Sequence, residues 1–165
     1  MDNYCAQDLK SELDANGRAG THNPSLGNSV RRSRILVVED DRHIARLLEY
    51  ILRRAGYDVR VAHSAENGLA EMMDRRPDAL LLDLVLPGMT GLEFLRTIRA
   101  APYFSECVVI VLTAHWVEQA KSTLVEAGAS AQCSKPIAPS TLLRKLRDFG
   151  VNPSTSAEAP IPGEQ

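Results

Sequence analysis

Four polar signatures each close a short apolar run in this chain of 165 residues. Glu39-Asp40 follow Ile35-Leu36-Val37-Val38, Asp83 follows Ala79-Leu80-Leu81-Leu82, Thr113 follows Val108 to Leu112, and Lys135-Pro136 follow a weaker run. If the runs are parallel strands, all four signatures meet at one edge of one sheet. Carboxylates crowded there repel one another, so either some stay protonated or a cation neutralises them. A hard divalent ion does this best: magnesium prefers oxygen ligands and keeps several waters, so Asp40, Asp83 and one backbone carbonyl would suffice, with Glu39 acting through water. Asp83 is then placed to attack a phosphoryl group as a carboxylate nucleophile. Lys135 would pair with the phosphoryl oxygens and the Thr113 hydroxyl would hydrogen-bond one of them, positioning and charge neutralisation being most of what such a transfer requires.

Taken singly, each residue has a plainer use. An aspartate after a strand is usually a turn former or a helix cap, and Asp41 is expected to be the N-cap of the first helix rather than a ligand. Thr113 alone reads as a cap and Lys135 alone as a solvated lysine. Caps, however, would not also require a lysine at the end of the fifth run.

The elements that must position these residues follow from periodicity. Ile44, Leu47, Leu48, Ile51, Leu52 and Ala55 recur at helical spacing and Gly56 supplies the stop. Val59 and Val61 alternate with polar residues, and Leu69, Met72 and Met73 mark a second helix closed by Pro77. A third strand to Asp83 leads through Pro87-Gly88-Met89-Thr90-Gly91 to a helix with Leu92, Leu95 and Ile98. The strand Val108 to Leu112 precedes a helix with Val117, Leu124 and Ala127, and a short strand near Ala131 to Ser134 precedes a last helix with Leu142, Leu143, Leu146 and Phe149. Repeated βα units predict a parallel sheet with helices on both faces. The runs ending at residues 39, 83 and 112 are apolar nearly throughout, as a strand buried on both faces must be, so the second and fifth are expected at the edges. That gives the flavodoxin-like doubly wound order 2-1-3-4-5, with ligands at the carboxyl ends of the strands near the switch between the first and third.

Composition narrows the classes. Hydrophobic residues at 44%, charged residues at 24% and a net charge of −2 describe a soluble domain and give no electrostatic case for nucleic acid. Cys5, Cys107 and Cys133 lack zinc-binding spacing and suit a reducing cytoplasm. No apolar stretch is long enough to span a bilayer, and Met1 to Gly20 lacks the apolar core of a secretory signal. Residues 1–33 are expected to be a flexible extension, with a short helix possible around Ala6 to Ala15. Residues 34–151 are expected to form the domain and residues 152–165, rich in proline and small polar residues, a disordered tail. The basic run Arg31-Arg32-Ser33-Arg34 reads as a solvated linker.

Taken together, Ile35 to Asp41, Asp78 to Gly91, Val109 to Ala114 and Lys135-Pro136 make the domain resemble the receiver domain of two-component response regulators. The resemblance covers residues 34–150. It implies that Asp83 is the phosphoacceptor, that Glu39 and Asp40 form the acidic magnesium pair, and that the Val85 backbone carbonyl is a further ligand. It also implies that Thr113 is the switch hydroxyl, that Lys135 senses the phosphoryl group, and that Lys135-Pro136 is a cis peptide. Where many receivers carry an aromatic residue three positions before that lysine, this chain has Gln132, and the positions two beyond Asp83 and Thr113 hold Val85 and His115.

The expected function is that of a stand-alone phosphoacceptor in a phosphorelay, a signalling protein rather than a turnover enzyme. It would be charged by a histidine kinase or phosphotransfer protein and read by a protein partner at the face of helix 4, strand 5 and helix 5, which carries Trp116 and Gln132. A phosphorylation-independent adaptor is the first alternative. A small phosphatase with an aspartate nucleophile is the second, disfavoured by Val85, which stands where such enzymes commonly need a second aspartate.

Overall fold

The computed structural model describes residues 31–114 and 118–154, of which 118–121 by backbone alone. The helix expected around Ala6 to Ala15, Cys5, His115, Trp116, Val117 and the segment beyond Ser154 lie outside the described residues.

Strands and helices alternate along the chain: β1 (Arg34–Val38), α1 (Arg42–Arg54), β2 (Asp58–Ala62), α2 (Ala65–Asp74), β3 (Ala79–Asp83), α3 (Gly91–Ala100), β4 (Val108–Thr113), α4 (Glu118–Glu126), β5 (Ala131–Ser134) and α5 (Pro139–Asp148). A 3-10 turn, Pro102–Phe104, links α3 to β4. The strands form one all-parallel sheet in the order β2-β1-β3-β4-β5. This is the flavodoxin-like order expected from the distribution of apolar runs.

Burial explains the order. All of β3 is buried, whereas β2 and β5 each leave residues exposed or half-buried, so the mixed strands sit at the edges where one side meets water. Alternation of side chains then sends Leu36, Val38, Leu80, Leu82, Val109 and Val111 into one core with α2, α3 and α4. Ile35, Val37, Leu81, Ile110 and Leu112 enter the other, against α1 and α5. Each fully buried Leu, Ile or Val contributes about 1.5–3 kcal/mol of transfer free energy. Cys107, one residue before β4, and Cys133 in β5 are buried members of these cores, and burial pushes the Cys107 thiol up to about 11. Both behave as small apolar side chains, as expected.

Past α5 the chain stays on the body. The Tyr57 hydroxyl donates to the Val151 carbonyl at 2.9 Å, Ser33 Oγ donates to the Asn152 carbonyl at 2.6 Å, and Ser154 is buried. The packed body therefore includes residues 152–154, which composition assigns to the tail, and residues 31–33, which it assigns to the extension.

One side chain ties the lower half of the sheet to α4. Arg99, in the last turn of α3, donates Nε to the Gly128 carbonyl at 2.9 Å and Nη2 to the Cys107 carbonyl at 2.9 Å. Its Nη1 reaches the carbonyls of Phe104 at 3.0 Å and Ser105 at 3.3 Å. Gly128 ends α4 with φ +93°, and a Cβ there would lie 2.9 Å from Arg99 Cγ, so the close approach as well as the backbone conformation calls for glycine. Hydrogen bonds to a charged donor are worth about 1.5–3 kcal/mol each, and orphaned carbonyls add their own cost. Arg99→Ala is expected to lower the unfolding free energy by about 3 kcal/mol in urea titrations at unchanged m-value. Arg99→Lys should restore only part of it, because an ammonium lacks the planar fork that spans these carbonyls.

Candidate functional site

The carboxyl edge of the sheet collects the polar residues that close the strands. β1 runs into Glu39, whose backbone N–H continues the ladder by donating to the Ala62 carbonyl at 3.0 Å. That hydrogen bond fixes the Glu39 side chain inward, 1% exposed, while Asp40 points to solvent. Asp41 caps α1: its Oδ1 accepts from the backbone N–H groups of His43 at 2.8 Å and Ile44 at 3.1 Å. It is the cap expected of it.

Asp83 ends β3 in register with Leu112 of β4 and is 6% exposed. Its Oδ1 accepts from the Val85 backbone N–H at 3.3 Å. The loop that follows is held from both sides. The Gly91 N–H donates to the Leu84 carbonyl at 3.0 Å, and a Cβ on Gly91 would stand 2.1 Å from the Asp83 carbonyl oxygen, so only glycine lets α3 begin this close to the phosphoacceptor candidate. Thr90 and Glu93 form a reciprocal capping box at the start of α3.

Lys135 enters from the end of β5. Its backbone N–H donates to the Thr113 carbonyl at 2.8 Å, and Lys135-Pro136 is cis, as the resemblance implies. The ammonium donates to Glu39 Oε1 at 2.9 Å and to Asp83 Oδ2 at 2.9 Å, joining residues 96 and 52 positions away in sequence. Thr113 closes β4, half-buried and in register with Ser134.

Glu39, Asp40 and Asp83 each offer a carboxylate oxygen, and these lie within 4.8 Å of one another. The charges in this cluster do not cancel. Burial pushes the Glu39 carboxyl up to about 7 despite the hydrogen bond from Lys135, and the nearby Asp83 charge pushes the same way. Burial pulls the Lys135 ammonium down, but its hydrogen bonds to Glu39 and Asp83 outweigh that and hold it above its ordinary value. Glu39 Oε2 lies 2.7 Å from Nζ, outside hydrogen-bonding geometry, and is a buried oxygen with no hydrogen-bond donor among the described residues. Three carboxylates that share a single ammonium are the donor set that a small hard cation fits.

Sequence reasoning placed Glu39, Asp40, Asp83, Thr113 and Lys135 at strand ends, and all five lie at this edge; of Glu39, Asp40, Asp83 and Lys135 the structure also brings the side chains together. Val85 follows Asp83 as expected, with an exposed side chain. His63 was not anticipated: its Nδ1 lies 2.9 Å from the Glu39 carbonyl oxygen, where an N–H donates to it. Its position just past β2, next in space to the end of β1, was the available signal. Gly91 was read only as part of a turn, because a close backbone approach leaves no trace in periodicity.

A doubly wound parallel sheet with an acidic, lysine-bridged pocket at the carboxyl ends of its central strands defines a class of phosphate-handling signalling domains. The particular family follows from comparison with known proteins: residues 35–147 match the response regulator receiver domain, and the chain belongs to that family. Among curated relatives it is 37% identical over 116 residues to the DNA-binding response regulator MtrA of Mycobacterium tuberculosis, covering 70% of this chain and 50% of MtrA. It is 34% identical over 113 residues to the phosphate regulon transcriptional regulatory protein PhoB of Pseudomonas aeruginosa, covering 68% of this chain and 49% of that protein. The chain thus spans about half the length of these relatives. Chemotaxis response regulator CheY4 of Vibrio cholerae superposes with a TM-score of 0.69 at 28% identity, covering 72% of this chain and 99% of CheY4. The protein is a two-component signalling protein of the receiver class, a family that normally binds magnesium in such an acidic pocket. None of the described helices is long and apolar enough to cross a membrane.

The raised Glu39 carboxyl has a measurable consequence in metal-free protein. A carboxyl whose pKa is higher folded than unfolded contributes stability below its unfolded value, and that stability is lost as pH rises through the folded value. The window runs from the ordinary 4.5 to about 7. Glu39→Gln keeps an acceptor for Lys135 without the charge, so its melting temperature relative to wild type is expected to rise between pH 5 and pH 8 in the presence of a chelator, by about 5 °C or more. A difference that stays flat across this range would show that Glu39 does not carry the strain.

Proposed function

We propose that the protein accepts a phosphoryl group on Asp83 from a histidine kinase or phosphotransfer protein and signals through protein contacts, in the cytoplasm. The observation that carries this reading is the pairing of a buried Asp83 with Lys135, 2.9 Å from Oδ2, inside a cluster of three carboxylates served by that one ammonium.

In this reading Glu39, Asp40, Asp83 and the Val85 carbonyl hold a magnesium ion. When bound, the ion supplies positive charge that offsets the carboxylates and the incoming phosphoryl oxygens. The residues of the chain do the rest. Asp83 presents an anionic oxygen at the floor of the cleft, and its carboxylate forms the new O–P bond. The donor's P–N bond breaks with its electron pair retained by the imidazole. Lys135, anchored to Glu39, transfers its hydrogen bond from Asp83 to a phosphoryl oxygen, and the Thr113 hydroxyl donates to another. Glu39 therefore keeps the ammonium aimed at the site in both states.

The readout is assigned to the face built by α4, β5 and α5. An open groove of about 600 Å³ runs there, lined among others by Leu124, Val125, Gln132, Pro136, Lys145 and Phe149. It adjoins the strand that delivers Lys135, so a shift of the lysine is felt at its wall. Gln132 stands in β5 opposite Val111, and the hydrogen-bonding side chain it presents in the groove suits a polar contact with a partner.

Incubation with magnesium and acetyl phosphate is expected to add one phosphoryl group by intact-mass measurement, and Asp83→Asn to abolish the gain. Lys135→Met should cut the labelling rate by about a hundredfold or more, the scale of losing one charged stabiliser of the transition state. Labelling that persists in Asp83→Asn would refute the assignment.

A further inference from the structure

The opposite, amino-terminal edge of the sheet carries a second site that phosphoryl transfer does not use. There a cavity of about 540 Å³ is lined by Arg31, Arg34, Arg76, Asp78, Glu106 and Tyr103, with Phe149 also in its wall. Its charge is unevenly spent. Asp78 is fully engaged, one oxygen paired with Arg31 and the other accepting the Arg34 backbone N–H at 2.7 Å. The Arg34 guanidinium has no such partner: its Nε is buried and finds no acceptor among the described residues. A buried donor without an acceptor is the mark of a missing ligand or water. Beside it the Arg76 guanidinium lies 5.3 Å from the centroid of the Tyr103 ring. Tyr103 is 57% and Phe149 44% exposed, an unusual outlay of aromatic surface in a chain with so few aromatic residues.

Each of these features asks for a different part of one ligand. An acceptor-rich anion satisfies Arg34 and Arg76, because a guanidinium presents a planar fork of donors that matches phosphate oxygens. A flat heterocycle covers the exposed rings by offset stacking. The volume is of the size that small-molecule sites occupy. Inorganic phosphate would leave the rings bare, and an uncharged aromatic would leave Arg34 unpaired. We propose that this pocket binds a nucleoside phosphate, its phosphate on Arg34 and Arg76 and its base against Tyr103 and Phe149. The site is separate from the acidic cluster, since Asp78 precedes β3 and Asp83 ends it.

The test is calorimetric titration of the full chain with ADP while magnesium is chelated, which disarms the acidic edge. ADP is expected to bind in the micromolar to submillimolar range, with adenosine and inorganic phosphate each weaker by about tenfold or more. Arg76→Gln and Tyr103→Ala, both at half-buried or exposed positions, should each weaken ADP by about tenfold while leaving acetyl phosphate labelling of Asp83 unchanged. Raising salt should weaken ADP further. The proposal is overturned if ADP shows no heat up to about 5 mM, well outside the affinity of a built site. It is equally overturned if phosphate alone binds as tightly as ADP, or if binding survives both substitutions and disappears instead in Asp83→Asn.

Discussion

The bridge from Lys135 to Glu39 and Asp83 is the interaction on which the rest of the site depends. Two unit charges about 5 Å apart repel by about 3 kcal/mol at the effective dielectric of a protein edge, and here three carboxylates gather within 4.8 Å. One ammonium cannot offset all three, and the Glu39 carboxyl rises to about 7, chiefly because it is buried and further because the Asp83 charge lies near. What holds the cluster together is the sheet beneath it. Glu39 continues the β1 ladder, Asp83 is the last residue of a strand buried at every position, and Lys135 is tied through its backbone to Thr113. The cores on both faces of the sheet supply the free energy that keeps like charges close. A cation at this edge would relieve a repulsion already present, which is a physical reason for affinity there.

Much of this was legible in the sequence, for a definite reason. A strand buried on both faces is apolar without interruption, so the first polar residue after it marks the carboxyl edge. Glu39, Asp83 and Thr113 announce themselves in this way. The edge positions of β2 and β5 follow from the same logic, since Arg60 and Gln132 interrupt their apolar patterns. Asp41 was readable because a cap is a local matter, settled within three residues. The contacts that escaped are those made at long range by side chains with several possible uses. Arg99 in a last helical turn looks like a solvated cation that complements the helix dipole, and only the fold shows that four carbonyls converge on it. Likewise the residues around Ser154 look like the start of a tail until Tyr57 and Ser33 are seen to receive them.

The β3–α3 loop shows how sequence detail too small for periodicity sets the chemistry. In the proposed role Asp83 has to be both buried enough to meet Lys135 and open enough to meet a donor. Gly91 meets the first demand by allowing α3 to start against the Asp83 carbonyl, and the Thr90–Glu93 box fixes the helix at that point. The second demand falls to the intervening residues, among which Val85 is 74% exposed. An apolar side chain at that place offers no group that could orient a water beside Asp83.

The two aspartates that flank β3 make the design of the domain explicit. Asp78 is saturated: the Arg34 N–H and the Arg31 guanidinium take its two oxygens, and its backbone joins β1 and β4 through hydrogen bonds of 2.9 and 3.0 Å. It sets the register at the start of the central strands. Asp83 also accepts from two donors, but one is the Val85 N–H at 3.3 Å and the other a lysine shared with Glu39. Between them lie only Ala79, Leu80, Leu81 and Leu82, each fully buried, so the strand cannot slide without exposing apolar surface or reversing its faces. The same residue type thereby sets register at one end of the strand and joins the acidic cluster at the other. What separates them is how the two donors of each carboxylate are held: Asp78 has a short 2.7 Å bond from the Arg34 backbone and an arginine of its own, Asp83 a 3.3 Å bond from Val85 and a lysine that it shares with Glu39.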